Sequence, residues 1–264
     1  MQRMGSLKPV NSGGLVYLVS PELEGFGPFL HAFSTRLGGV SRGPFRSLNL
    51  GPAPGERWEH VNENRRRFFR AIGLGALKPI ALRQVHGNRL IEVRGGGEGG
   101  RKSLGDGLMA EEKGLALTIS TADCYPIILA SLRPRALALL HAGRAGTARG
   151  ILASAVSGME NAYGVKAEEL LAVLGPGIGP GCYEVGEEVA GEFRGTAGAL
   201  RPGEDGKYFL DLPAVIRSQL HEAGLPEDRI ILPGVCTCCE GELFFSHRRE
   251  GPFTGRLMAV AGLL

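Results

Sequence analysis

Two histidines and a cysteine stand out because each follows an apolar run that reads as a buried strand. The runs are Pro79 to His86 (PIALRQVH), Leu115 to Cys124 (LALTISTADC) and Ala136 to His141 (ALALLH), with each ligand expected at or just past the strand's C-terminal end. Two imidazoles and a thiol brought together this way make a His₂Cys donor set, one ligand short of a closed tetrahedral zinc site. Three protein ligands with an open fourth position are the catalytic zinc pattern, because water or substrate completes the shell. The same residues also admit a cysteine hydrolase, with Cys124 as nucleophile and His141 as base. They admit a blue-copper centre as well, which would add a weak axial Met, or a zinc-stabilised binding module without catalysis.

Other segments carry chemistry-bearing residues. His141 opens HAGRAGT, a glycine turn leading into a helix whose N-terminus suits an anion. Gly175 to Val185 (GPGIGPGCYEV) is a Gly/Pro loop with Cys182, Tyr183 and Glu184, and it lacks the Lys-Ser/Thr of a Walker loop. Cys236, Cys238 and Cys239, with His247, are a candidate second metal group, although adjacent cysteines tend to point apart.

The elements that must position these groups are short. Apolar periodicity predicts helices over Trp58 to Ile72, Gly146 to Tyr163, Gly186 to Phe193 and Asp211 to Ala223, the last with Asp as N-cap and Pro213 in its first turn. About three times as many strands are readable, among them Leu15 to Val19, Phe29 to Phe33, Ile80 to Val85, Leu90 to Val93, Pro126 to Leu132, Leu170 to Leu174, Leu243 to Ser246 and Leu257 to Val260. That ratio excludes a regular βα alternation. It implies an α/β fold of the α+β type, a layered sandwich of mixed β-sheets flanked by helices. No repeat or linker divides the 264 residues, so a single domain over 1–264 is expected. The glycine-rich stretch Gly95 to Gly107 reads as a surface loop over the site.

Composition narrows the class. A net charge of +3, with arginines scattered, gives no basic stripe for nucleic acid. No run approaches the roughly 20 apolar residues of a membrane span, and no secretory signal is visible. An odd count of five cysteines then favours reduced thiols in a cytoplasm. Oligomeric state leaves no trace in the sequence.

At these residues the chain resembles the YfiH-like family of laccase-domain proteins, also known as polyphenol oxidases and as purine nucleoside phosphorylases with adenosine deaminase activity. The matching segments are His31 to Gly51, QVHG at 84–87, TADC at 121–124, HAG at 141–143, Gly175 to Val185, FSHRR at 245–249 and TGR at 254–256, in the family's order. The resemblance implies the YfiH-like layered fold and a zinc ion held by His86, Cys124 and His141, with copper the alternative. It implies purine nucleoside and inorganic phosphate as substrates, for phosphorolysis of adenosine, inosine, guanosine and methylthioadenosine and for deamination of adenosine. Deamination needs a carboxylate to carry protons, and Asp123 is nearest in sequence, with Glu184 behind it. Phosphate needs guanidinium, for which Arg36, Arg144 and Arg248 are candidates. The nucleotide-deaminase signature H-x-E with P-C-x-x-C is absent. Three departures stand out. HAGRAGT replaces the usual HAGWRGT, so an arginine role would pass to Arg144 or Arg149; Gly181-Cys182 replaces paired cysteines; and Asn88 stands where an acid is common.

Overall fold

A computed structural model describes residues 7–94 and 103–264. Its strands are β1 (Lys8–Ser12), β2 (Leu15–Val19), β3 (Phe29–Ser34), β4 (Lys78–Ala81), β5 (Leu90–Glu92), β6 (Gly107–Ala110), β7 (Leu115–Thr121), β8 (Tyr125–Leu132), β9 (Arg135–Ala142), β10 (Leu171–Leu174), β11 (Glu184–Val185), β12 (Leu200–Pro202), β13 (Tyr208–Leu210), β14 (Ile230–Ile231) and β15 (Leu257–Leu263). The helices are α1 (Pro21–Phe26), α2 (Trp58–Ala71), α3 (Arg144–Ala148), α4 (Ile151–Tyr163), α5 (Glu187–Gly191), α6 (Leu212–Glu222) and α7 (His247–Glu250).

Two six-stranded sheets form the body, in the orders β1-β2-β3-β15-β7-β4 and β14-β10-β8-β9-β6-β5, and a small sheet β11-β13-β12 stands beside them. Most pairs are antiparallel; β4 with β7, β5 with β6 and β10 with β14 are parallel. The strand pleat explains the layering, since alternate residues face opposite sides. Along β7, Leu115, Leu117 and Ile119 pack with Ile128 of β8 and Leu137 and Leu139 of β9 in a core between the sheets. The opposite faces of β8 and β9, with Ile127, Leu129 and Leu140, pack under α4 and α6. On the far side, Ala116 and Val260 pack with Phe68 of α2. The molecule is therefore a mixed sandwich with helices outside, as its patterning implied. Among the described residues no helix is long and apolar enough to cross a membrane.

Several elements differ from the sequence reading, each for a local reason. The expected helix from Gly146 is two, α3 and α4, because Gly150 takes a left-handed backbone (φ 77°) between them. The run Leu243 to Ser246 is not a strand: Leu243 and Phe244 N–H groups turn back to Glu240 O, and the Ser246 side chain caps α7. The expected strand over Ile80 to Val85 ends at Ala81. Beyond it the Gln84 side chain replaces the ladder, donating to Ser120 O (2.8 Å) and accepting from Ser120 N (2.9 Å). Of the glycine-rich stretch, residues 95–102 lie outside the described residues.

Candidate metal centre and active site

The two main sheets are joined where the site forms. The chain leaves β7 in one sheet and enters β8 in the other through Ala122–Cys124, and it passes from β4 to β5 through Leu82–Arg89. Cys124 lies on the first crossing and His86 on the second. His141 is the penultimate residue of β9, opposite Pro126 of β8, at the strand's C-terminal end as expected. Both crossings contain a non-glycine residue at positive φ, Asp123 (91°) and His86 (57°). Such backbones cost about 1–3 kcal/mol each and persist only where the surroundings impose them.

Asp106 imposes the second. Fully buried at the entrance to β6, its carboxylate accepts from the N–H groups of Val85 (3.2 Å), His86 (2.9 Å) and Gly87 (2.7 Å). The same carboxylate binds His141 Nδ1 at 2.8 Å, and Asp106 O accepts from His141 N at 2.7 Å. One buried anion thus curls the His86 loop and fixes the His141 ring. Burial would raise the Asp106 pKa, but the bonds from His141 and Gly87 outweigh it and hold the group below its ordinary value. Asp106 carries only one signal in the sequence, a lone acid in SLGDG leading straight into an apolar strand, too slight to mark it as a site residue.

The ligand atoms of His86, Cys124 and His141 lie within 4.8 Å of one another, and the two imidazoles meet edge to face with centroids 4.7 Å apart. With Nδ1 taken by Asp106, His141 keeps Nε2 for an ion, the carboxylate–histidine arrangement common behind metal ligands. Burial would push the Cys124 thiol up, yet His141 and His86 beside it bring it down to about 6. Burial would lower His141, and Cys124 with Asp106 instead raises it to about 9. A thiolate and two ring nitrogens are a soft-to-borderline donor set that suits zinc or copper. Gly143 leaves the room: a Cβ there would stand 2.6 Å from Cys124 Sγ.

His86, Cys124 and His141 open into a cavity of about 820 Å³. Among the described residues, five arginines line it (Arg65, Arg83, Arg144, Arg248 and Arg256) against one carboxylate, Asp123, so this lining attracts anions. Trp58, Phe69 and Tyr183 add aromatic wall, and His247 borders it too rather than joining the cysteines in a donor group. The Asp123 carboxylate accepts from Thr237 Oγ1 (2.6 Å) and Arg248 N (2.7 Å). Arg144 is held by Glu192 (3.0 Å), and Arg248 donates to Glu184 O (2.8 Å) while lying over Tyr183. Arg149, the alternative to Arg144, donates to His86 O (2.7 Å) and so supports the loop instead of lining the cavity.

Two expected residues fall elsewhere. Arg36 does not line the cavity; its guanidinium is spent on Arg46 O (2.9 Å), Gly241 O (3.0 Å) and Glu250 (2.7 Å), and it stacks on Phe245. Glu184 points its carboxylate at Lys207 (2.8 Å).

Comparison with known proteins agrees with this architecture. Residues 30–264 match the family model described as multi-copper polyphenol oxidoreductase laccase. The purine nucleoside phosphorylase of Deinococcus radiodurans is 38% identical over 251 residues, 95% of this chain and 94% of the relative. Purine nucleoside phosphorylase YfiH of Escherichia coli is 36% identical over 236 residues, 88% and 92% of the two chains. The chain belongs to this laccase-like YfiH/YlmD family. The crystal structure of its member YlmD from Geobacillus stearothermophilus superposes with a TM-score of 0.89 at 32% identity, covering 98% of each chain. That of YfiH from Bacillus licheniformis gives 0.88 at 32% identity, covering 94% and 96%. The family is described as a copper oxidoreductase, whereas these two relatives are named phosphorylases.

Proposed function

We propose that this chain is a zinc-dependent purine nucleoside enzyme, cleaving nucleosides with phosphate and deaminating adenosine. The observation that carries the reading is the His86–Cys124–His141 group opening into a cavity lined by five arginines and one acid. A multicopper centre needs more imidazoles than converge here. Of the six histidines, His31 accepts from Ser20 N, His60 pairs with Glu56 and His221 binds Leu225 O. The phosphorylase names of the relatives support the same choice.

His86, Cys124 and His141 would hold the ion, which supplies Lewis acidity and lowers the pKa of water from about 15.7 toward 7. The remaining work belongs to the chain. Arg248 and Arg144 bind phosphate; a guanidinium has five N–H donors, so the protein contacts of each leave donors for an anion. Trp58, Phe69 and Tyr183 offer flat apolar surface for a purine. Asp123 takes up a proton from attacking water and returns it to the leaving amine, since each of its oxygens accepts only one protein bond and keeps a lone pair.

The test is incubation with adenosine, with and without phosphate, followed by chromatography. Adenine with phosphate, and inosine without it, is the expected pattern; neither product would end the reading. A second reading has a specific observation behind it: Asp106, His141 and Cys124 also form the acid–base–nucleophile chain of a cysteine hydrolase. His86 separates the two. His86→Ala should strip the metal and abolish nucleoside turnover in a metalloenzyme, whereas a hydrolase would keep its thiol reactivity.

A further inference from the structure

A second sulfur cluster lies outside the cavity. The thiols of Cys182, Cys236 and Cys239 all stand within 4.8 Å of one another, and Cys182 Sγ is 3.3 Å from Cys239 Sγ. Two separate stretches of chain supply them, pinned together by the bridge between Gly177 and Cys236 and by Thr237 N–H to Gly177 O (2.9 Å). Cys236 and Cys239 have the C-x₂-C spacing of a metal-binding turn. The sulfur of Cys236 accepts the Gly179 N–H at 3.1 Å. A backbone N–H aimed at a sulfur stabilises it as an anionic ligand. Gly179 permits the approach, for a Cβ there would lie 3.1 Å from Cys236 Cβ and 3.3 Å from its sulfur. Cys239 is exposed, which gives an ion a way in. Cys238 and His247, grouped with Cys236 and Cys239 by sequence spacing, give way in the fold to Cys182.

We propose that Cys182, Cys236 and Cys239 form a second metal site, selective for a thiophilic d¹⁰ ion, Zn²⁺ or Cu⁺, that clasps the Gly175–Cys182 loop to the Val235–Glu240 segment. Three thiolates with no imidazole or carboxylate favour such ions over harder ones. Binding forms up to three metal–sulfur bonds and releases the thiol protons to solvent, with no change of oxidation state. Thr237, between the ligands, donates to Asp123, so the clasp braces one wall of the cavity.

The test uses the full chain, reduced, stripped by chelator and reloaded anaerobically, in wild-type and Cys182→Ser/Cys239→Ser forms. Zn²⁺ is titrated by metal analysis after desalting, and Cu⁺ by competition with a chromophoric chelator. Wild type should take up two equivalents of at least one of these ions and the double variant one. Co²⁺-loaded wild type should show a thiolate-to-metal charge-transfer band several times stronger than that of the variant, whose one remaining three-donor group contributes a single thiolate, Cys124. Should the double variant fail to fold, Cys239→Ser alone, at an exposed position, serves instead. Equal uptake of both ions by wild type and variant would overturn the proposal. So would a Cys182–Cys239 disulfide in the purified protein with no second equivalent bound after its reduction.

Discussion

The two sulfur clusters are built in opposite ways. His86, Cys124 and His141 come from the crossings between two sheets and from a central strand, organised by one fully buried carboxylate. Cys182, Cys236 and Cys239 come from loops at the periphery, where a backbone N–H reaches Cys236 and, among the described residues, no carboxylate does the organising. The first group lines the large cavity, and none of the second does. The difference teaches how position assigns a role. Donors facing a cavity leave room for a reactant, while donors joining two loops spend themselves on holding those loops together.

The largest effect should come from Cys124→Ala, which tests whether the cavity group is the reactive one. Metal analysis should show one equivalent lost, and nucleoside turnover should fall to background; retention of both would reverse the assignment. Asp106→Asn comes next. Removing an organising group behind metal ligands typically costs about 10–100-fold in affinity, measurable by chelator competition, and Val85, His86 and Gly87 lose a charged acceptor. Unchanged affinity and melting temperature would show that the buried acid does not organise the site. Gly143→Ala isolates sterics, because its φ of −87° suits alanine and the added Cβ presses on Cys124 Sγ (2.6 Å) and touches the His86 ring (3.4 Å). Overpacking of this kind costs about 1–3 kcal/mol, expected here as weaker metal retention with little change in helix content by circular dichroism. Smallest in its effect on the metal ligands is Thr237→Val, which keeps the shape and removes the 2.6 Å bond to Asp123. A hydrogen bond to a charged group is worth about 1.5–3 kcal/mol, so denaturant unfolding should shift by that order with the metal content of both clusters intact.

What the sequence makes legible is whatever buries both faces. The strands β7, β8 and β9 carry continuous apolar runs because each lies between two cores, and the ligands beside them are found by following those runs. The stripe Ile151, Leu152, Ala155, Val156, Met159 and Tyr163 likewise marks the buried face of α4. Polar edge strands escape: β1 (KPVNS) has no residue in the core. Apolar runs also mislead where side-chain hydrogen bonds govern the backbone, as at Gln84 and Asp106 beyond β4. Long-range pairings leave no local trace. Nothing near Arg36 announces Glu250, and nothing near Cys182 announces Cys239.

The place of β15 has a consequence for how this protein is made. Residues 257–263 insert between β3 and β7, so the strand leading to Cys124 gains its antiparallel neighbour from a segment synthesised more than 130 residues later. A chain made through His141 already owns every donor of the cavity group, but β3 and β7 still lack the strand that joins them. Contacts so distant in sequence form slowly, so the sheet that leads into Cys124 closes late in folding.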